Sequence, residues 1–353
     1  MRIAIVTDAW APQVNGVVRT LEATVTELER CGHVVQVVSP GLYRSMPCPT
    51  YPSIRLALAG PRALGRALTG FAPTHVHIST EGPLGLAARR WCIRRGWRFT
   101  TAYHTQFPDY VAKRTGVPVA WLWRYIRWFH RPAAHVLAST KSIRAELADH
   151  GIAHTAAWSR GVDLALFSPR TTGATYAGLQ RPIQLYVGRM AVEKNIGAFL
   201  TSTHPGTKVV VGDGPQRAEL ERRFPDAMFL GELSGIALAD AYAAADVLVF
   251  PSRTDTFGLV IIEALASGTP VAAYPVTGPV DIVTPPVGAL DDVLDAAIVR
   301  ALRVDRVECA RYGRSFTWSA STAQFLAALV EADPDERDVT VPAAARPSTC
   351  ATA

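Results

Sequence analysis

Short runs of apolar and β-branched residues alternate with longer amphipathic stretches from the first residues onward. RIAIVT, HVVQVVSP and THVHIS have the length and branching of buried strands, whereas VVRTLEATVTELERCG and GPLGLAARRWCIRRG read as helical runs. Strands alternating with helices in this way form βαβ units, so the pattern predicts a parallel sheet. A Gly-, Pro- and Thr-rich interval from Ser168 to Pro182 interrupts the alternation, which restarts with IQLYVGRM, TKVVVGDGP, ADVLVFP and TPVAAYPV. The expectation is an α/β chain with two doubly wound, Rossmann-like domains, 1–165 and 166–315, facing a central crevice. Phe316 to Glu331 reads as a closing helix within 316–332, and 333–353 turns to the Pro, Ala, Thr and Asp of a disordered tail.

The segment PSRTDTFGLVIIEALASGTP, Pro251 to Pro270, carries the most chemistry. VLVFP before it reads as a buried strand, and GLVIIEALASG reads as a helix that Gly268 ends. Asp255, Phe257 and Gly258 thus fall at the carboxyl end of a parallel strand, where open α/β sheets bind ligands, and Glu263 follows one to two turns into the helix. The plainer alternative makes Asp255 a helix cap and Glu263 a solvated helix residue.

Other strand exits hold further candidates. Asn15-Gly16 precedes the first helix and can offer backbone N–H groups to an anion. Gly188-Arg189 ends the strand IQLYV, with Lys194 close behind. Against a pyrophosphate each cation at ~4 Å is worth roughly 1 kcal/mol in water and about 4 kcal/mol at an effective dielectric near 20. Gly212 and Asp213 form a Gly-rich turn after VVV, and FLGEL is a second such exit. His104 stands at the end of the strand in FTTAYHTQFPDY, and Glu81 follows HIST, where it either meets a ligand or caps a helix. Neither G-x-G-x-x-G nor G-x-x-x-x-G-K-[ST] occurs, which lowers the standing of dinucleotide-dependent dehydrogenases and P-loop enzymes.

These motifs together, NGV, EGPLG, YHTQFP, RGVD, GRM with EKN, GDGP and the Asp255-x7-Glu263 block, resemble the retaining glycosyltransferases of family 4 (group 1) up to about Glu331. The resemblance implies the GT-B fold, with the last helix crossing back to the first domain and Arg160 to Asp163 linking the domains. It implies that Asp255 meets the donor sugar, that Phe257, Gly258 and Leu259 hold sugar and phosphate through the backbone, and that Glu263 binds the ribose hydroxyls. Asp255 is one methylene shorter than the glutamate usual there. Gly16 lies against the donor diphosphate; Arg189, beside Gly188, and Lys194 neutralise it; Gly212 and Asp213 line the nucleotide site. His104 faces the reaction centre, with Asn15 and Glu81 on the acceptor side. The implied reaction is metal-independent transfer of a hexose from a nucleotide sugar, GDP-mannose or a UDP-hexose, to a lipid or glycan acceptor. The leading expectation is mannose from GDP-mannose onto a membrane lipid; a UDP-sugar-dependent enzyme and a non-enzymatic nucleotide-sugar binder are the alternatives.

Charge adds one feature. Residues 1–165 carry 20 Lys and Arg against 9 Asp and Glu, whereas 166–353 carry 16 against 21, so the net charge of +6 conceals a basic first half. In PVAWLWRYIRWFHR, helical spacing puts Arg124, Arg127 and Arg131 in one sector flanked by Trp121, Tyr125 and Trp128. That stripe suits a helix lying on an anionic membrane, or a solvated face over an aromatic core. Arg89, Arg90, Arg94, Arg95 and Arg98 add to the positive field; no nucleic-acid module accompanies it, and no nucleic acid is expected as a partner. Five scattered cysteines without a C-x-x-C pair, no apolar leader and no long apolar run lead to the expectation of a cytoplasmic protein, peripheral on the membrane at most.

Overall fold

The computed structural model describes residues 1–13, 15–48, 51–106, 108, 111–112, 115–172 and 175–332; the tail expected at 333–353 lies outside them. Two six-stranded sheets organise the chain. The first comprises β1 (Arg2–Val6), β2 (Val34–Val38), β5 (His75–Ile78), β6 (Thr100–Tyr103), β7 (Val136–Ala138) and β8 (Thr155–Ala157), in the order β2-β1-β5-β6-β7-β8. An antiparallel hairpin, β3 (Ser45–Cys48) and β4 (Tyr51–Ala57), stands apart from it. The second sheet is β11-β10-β9-β12-β13-β14, built from β9 (Ile183–Val187), β10 (Thr207–Val211), β11 (Met228–Gly231), β12 (Val247–Phe250), β13 (Val271–Ala273) and β14 (Gly288–Leu290). Every pairing within the two large sheets is parallel.

Sheets covered on both faces need strands that are apolar on both, and β9 and β12 are buried along their whole length. In β1, Ile3 and Ile5 point to one core while Ala4 and Val6 point to the other. The helix Gly16–Arg30 shows how the sequence sets its own limits. Asn15 Oδ1 accepts from the amides of Val17 and Val18 at 3.0 Å, Val18, Leu21 and Leu28 supply the buried face, and Gly32 takes the left-handed φ of 79° just after the end.

In both sheets the direction of winding reverses once. The second sheet reverses between β9 and β12, and the first between β1 and β5. A reversal opens a crevice at the carboxyl ends of the two strands concerned, so the loops after β1, β5, β9 and β12 are placed to meet ligands.

Two chain crossings join the domains. Val162 N–H donates to Phe316 O at 3.0 Å, and a Cβ on Gly161 would lie 2.3 Å from the Trp318 nitrogen, so only glycine permits the approach. The helix Trp318–Ala328 then returns to the first domain, where Phe325 and Ala328 join Ile3, Ile5 and Trp158 in one core. Beyond this helix, backbone bonds from Arg98 to Ala332 and from Ala332 to Thr74 fasten the chain to the edge of the first domain.

Candidate active site

The loop from Pro251 to Gly258 leaves β12 and enters the helix Leu259–Ala266 through Gly258, whose φ is 85°. Gly258, not Asp255, is the N-cap of this helix; Asp255 Oδ1 instead accepts from the amide of Phe257 at 3.2 Å. The second oxygen of Asp255 receives Lys194 Nζ at 2.8 Å. Lys194 ends a short turn after β9, and Asn195, in the left-handed region at φ 52°, donates from its side chain to Pro251 O at 3.1 Å. The exits of β9 and β12 are therefore tied together across the reversal point.

Glu263 is buried, at 6% exposure, and not the solvated helix position of the plainer reading. Tyr242 donates to Oε2 at 2.8 Å, and Arg19 of the first domain reaches over to Oε1 at 3.0 Å. Burial pushes the carboxyl pKa upward; Arg19 and Tyr242 oppose this without cancelling it. A carboxylate offers about four lone-pair positions, so two remain for hydroxyl groups of a ligand.

The turns after β9 and β10 interlock through glycine. Gly188 N–H donates to Val211 O and Met190 N–H to Asp213 O, while a Cβ on Gly212 would meet Gly188 O at 2.0 Å. Gly212, at φ 132°, is a position for glycine alone. Arg189 is exposed on this double turn, and Tyr186 donates to its carbonyl oxygen at 2.9 Å. Asp213 accepts a 3.5 Å ion-pair contact from Arg217.

From the first domain, His104 forms the facing wall. Thr256, next to Asp255, donates through Oγ1 to His104 O at 2.6 Å, and its own carbonyl accepts from Ser139 Oγ at 2.7 Å. The imidazole is buried against the edge of Trp158, and Arg160 donates to Nδ1 at 3.1 Å. Burial, Arg160 and His77 all draw the His104 pKa well below the usual imidazole value, so the ring is neutral. Gly16 also meets the second domain, its Cβ position lying 3.5 Å from Leu259 Cδ1.

Two sequence expectations need correction. The amides of Val17 and Val18, next to Asn15-Gly16, are not open to an anion, because the Asn15 side chain takes both. Glu81 does not cap the helix Pro83–Arg95; Asp8 does, accepting from Leu84 N–H at 2.9 Å, from Gly85 N–H and from the Thr80 hydroxyl. The Glu81 carboxylate is turned to His130 Nε2 at 3.2 Å, and its carbonyl accepts from Tyr125. Arg19, Tyr242, Arg160 and Thr256 escaped the sequence reading of site residues. An arginine in the first helix and a tyrosine in an alanine-rich one carry no local signal of this use.

On the surface, Arg124, Arg127 and Arg131 are exposed along one side of the helix Val119–His130, with Trp121 72% and Trp128 50% exposed beside them. Tyr125 is turned inward to Glu81. Arg89 does not belong to this basic face. Its guanidinium donates to the carbonyls of Trp128 and Phe129 and lies 3.9 Å from the Trp128 ring. Among the described residues no helix is long and apolar enough to cross a membrane.

Comparison with known proteins agrees with this architecture. Residues 14–166 match the model of Glycosyltransferase Family 4, and residues 181–302 match Glycosyl transferases group 1. A GDP-mannose-dependent alpha-mannosyltransferase of Mycolicibacterium smegmatis is 34% identical over 341 residues, covering 89% of this chain and 91% of that protein. An alpha-monoglucosyldiacylglycerol synthase of Streptococcus pneumoniae is 28% identical, over 78% of this chain and 71% of its own. Among solved structures, a sucrose-phosphate synthase from Thermosynechococcus elongatus superposes with a TM-score of 0.76 at 22% identity, covering 92% of this chain and 97% of the other. The two facing parallel-sheet domains are the GT-B fold, and with a family match in each domain and a relative of that identity along most of its length, the chain belongs to glycosyltransferase family 4 and is a hexosyltransferase.

Proposed function

We propose that this enzyme transfers mannose from GDP-mannose to a membrane lipid or glycolipid, with retention of anomeric configuration and without a metal ion. The observation that carries the reading is the Asp255 loop, tied on one side to Lys194 and on the other, through Thr256, to His104. Buried Glu263 lies one helical stretch further along. Its remaining lone pairs suit the vicinal hydroxyls of a ribose. Arg189 and Lys194, at the exit of β9, suit the diphosphate. Asp255 and His104 then flank the sugar. The 34% identical relative is named for GDP-mannose and the 28% identical one for a glycolipid product, which favours this donor and this acceptor class.

In the reaction so read, an acceptor hydroxyl attacks the anomeric carbon from the face that the diphosphate leaves. The carbon–oxygen bond to phosphate breaks with its electron pair staying on the phosphate, which takes up the hydroxyl proton. Positioning and stabilisation of the growing phosphate charge supply the acceleration, and Arg189 and Lys194 are the cations for it. The stripe of Arg124, Arg127 and Arg131 edged by Trp121 and Trp128 holds the first domain on an anionic bilayer. Three such arginines contribute about 3 kcal/mol, which gives reversible docking.

A thermal-shift comparison of GDP, UDP, ADP and their hexose conjugates tests the donor. A ligand at 100 times its Kd stabilises by about 2.7 kcal/mol. Stabilisation by GDP and GDP-mannose, lost in Glu263→Ala, supports the reading. Selective stabilisation by UDP species replaces the donor, and no response to any nucleotide overturns the site.

A further inference from the structure

We propose that Arg160 is the positioning residue for His104, fixing the imidazole as the Nε2–H tautomer and turning that N–H into a polarised donor for a hydroxyl of the transferred sugar. This rests on the proposed reading of the crevice as a sugar-transfer site and adds to it a residue outside the family's sugar-contact motif.

The geometry is specific. Arg160 is buried, with 5% exposure, and lies where the chain crosses between the domains beside Gly161. Nη1 donates to the carbonyls of Trp158 at 2.6 Å and Ser159 at 3.0 Å, and the guanidinium stands 5.0 Å from the Trp158 ring. Nη2 donates to His104 Nδ1. A guanidinium has donors only, so Nδ1 must accept and the ring proton of a neutral His104 must sit on Nε2. That Nε2 is buried and has no hydrogen-bond partner among the described residues. A buried donor left unpaired costs free energy, and a ligand hydroxyl that accepts from it removes the cost.

Arg160 also has no carboxylate within ion-pair distance among the described residues. Burial pulls its pKa down to about 9, which still leaves it cationic at neutral pH. An uncompensated buried cation bonded to one imidazole nitrogen polarises the N–H on the other in a low-dielectric setting. Among the described residues the titratable groups that act on His104 are Arg160 and His77. His77 is itself held neutral by burial, with its pKa drawn to about 3, and its Nδ1 is hydrogen-bonded to Thr100. Among the described residues nothing competes with Arg160 for Nδ1.

The test is the 15N spectrum of histidine-labelled enzyme without ligand, with His104 assigned by its loss in His104→Asn. The expected result is a protonated Nε2 and an unprotonated Nδ1 from pH 6 to 8.5. Arg160→Lys, which also offers only donors, keeps that pattern; Arg160→Met gives mixed tautomers or a ring that gains charge inside the range. In Arg160→Met, transfer from GDP-mannose falls roughly 10- to 100-fold while GDP affinity changes less than about threefold, and Arg160→Lys recovers part of the rate. A proton on Nδ1 in the wild type, or Arg160→Met with an unchanged His104 signal and full transfer, overturns the proposal. If Arg160→Met does not fold, the wild-type spectrum and Arg160→Lys decide it. Because the tautomer is read without substrate, a failed donor assignment leaves that result standing.

Discussion

Arg19→Ala tests how the crevice keeps Glu263 ready for a ligand. The ion pair spans 3.0 Å, with the Arg19 side chain 43% exposed and that of Glu263 8%. At the 3.0 Å separation, Coulomb attraction amounts to about 5.5 kcal/mol at an effective dielectric of 20 and about 1.4 kcal/mol in water. Arg19 is nearly half in water and its long chain must be held still, so the lower end applies, ~1–2 kcal/mol. Removing Arg19 takes away the larger of the two influences that oppose burial, and the Glu263 pKa rises further above its ordinary value. On the proposed reading only the ionised carboxylate accepts the ribose hydroxyls. GDP affinity is then complete above the Glu263 pKa and falls as pH drops through it; in Arg19→Ala the fall begins at higher pH. Calorimetric titration of GDP from pH 5.5 to 8.5 should show ~5- to 30-fold weaker binding at the acid end, the equivalent of that energy, converging towards the wild type at the alkaline end. In a Glu263→Gln background Arg19→Ala should add almost nothing. Wild-type and Arg19→Ala curves that run parallel across the range refute the electrostatic coupling. Tighter GDP binding in Arg19→Ala would show that Arg19 competes for the ribose position.

Three more outcomes are expected from the same geometry. Because burial raises the Glu263 pKa, the folded state binds more protons than the unfolded one between the ordinary value of 4.5 and the raised one, so this group lowers stability as pH rises through that window. Glu263→Gln should therefore melt no lower than the wild type at pH 7.5, with any gap closing towards pH 5, even though nucleotide binding is weakened; a lower melting temperature at pH 7.5 contradicts this. Gly212→Ala drives a Cβ to 2.0 Å from Gly188 O at a φ of 132°. A loss of roughly 2 kcal/mol or more is expected, seen as a Tm lower by at least about 4 °C together with weakened nucleotide binding, and an unchanged melting curve would contradict the interlock. Co-sedimentation with phosphatidylglycerol-containing vesicles should fall on replacing Trp121 and Arg124 together by alanine and should fade with added salt, whereas equal binding to neutral vesicles would rule out the charged stripe as the contact.

Much of this protein was legible in local pattern. Apolar runs such as IQLYV and VLVF specify buried strands because both faces of a parallel sheet must be covered, and the glycines at 188, 212 and 258 mark the exits where the backbone turns sharply. Asp255, Gly188, Arg189, Gly212 and Lys194 could therefore be placed at strand exits from spacing, whereas their use in one site, and the place of Glu263 in it, came from the resemblance to the family. The short strands β7, β8 and β14 were less legible, since three residues have no period to read and, unlike the equally short β13, they were not among the apolar runs read as strands.

The partners of the site residues were decided by tertiary structure. Glu263 depends on Arg19, 244 positions away, and His104 on Arg160 and Thr256, 56 and 152 away. Such pairs are set by how two sheets face each other, and hydrophobic periodicity within either sheet carries no information about that. The same reason explains why Asp8 rather than Glu81 caps the helix Pro83–Arg95, and why Arg89 left the basic surface for the carbonyls of a neighbouring helix. A side chain's composition and neighbours in sequence state which bonds it is able to make. Only the approach of distant segments determines which of them it makes.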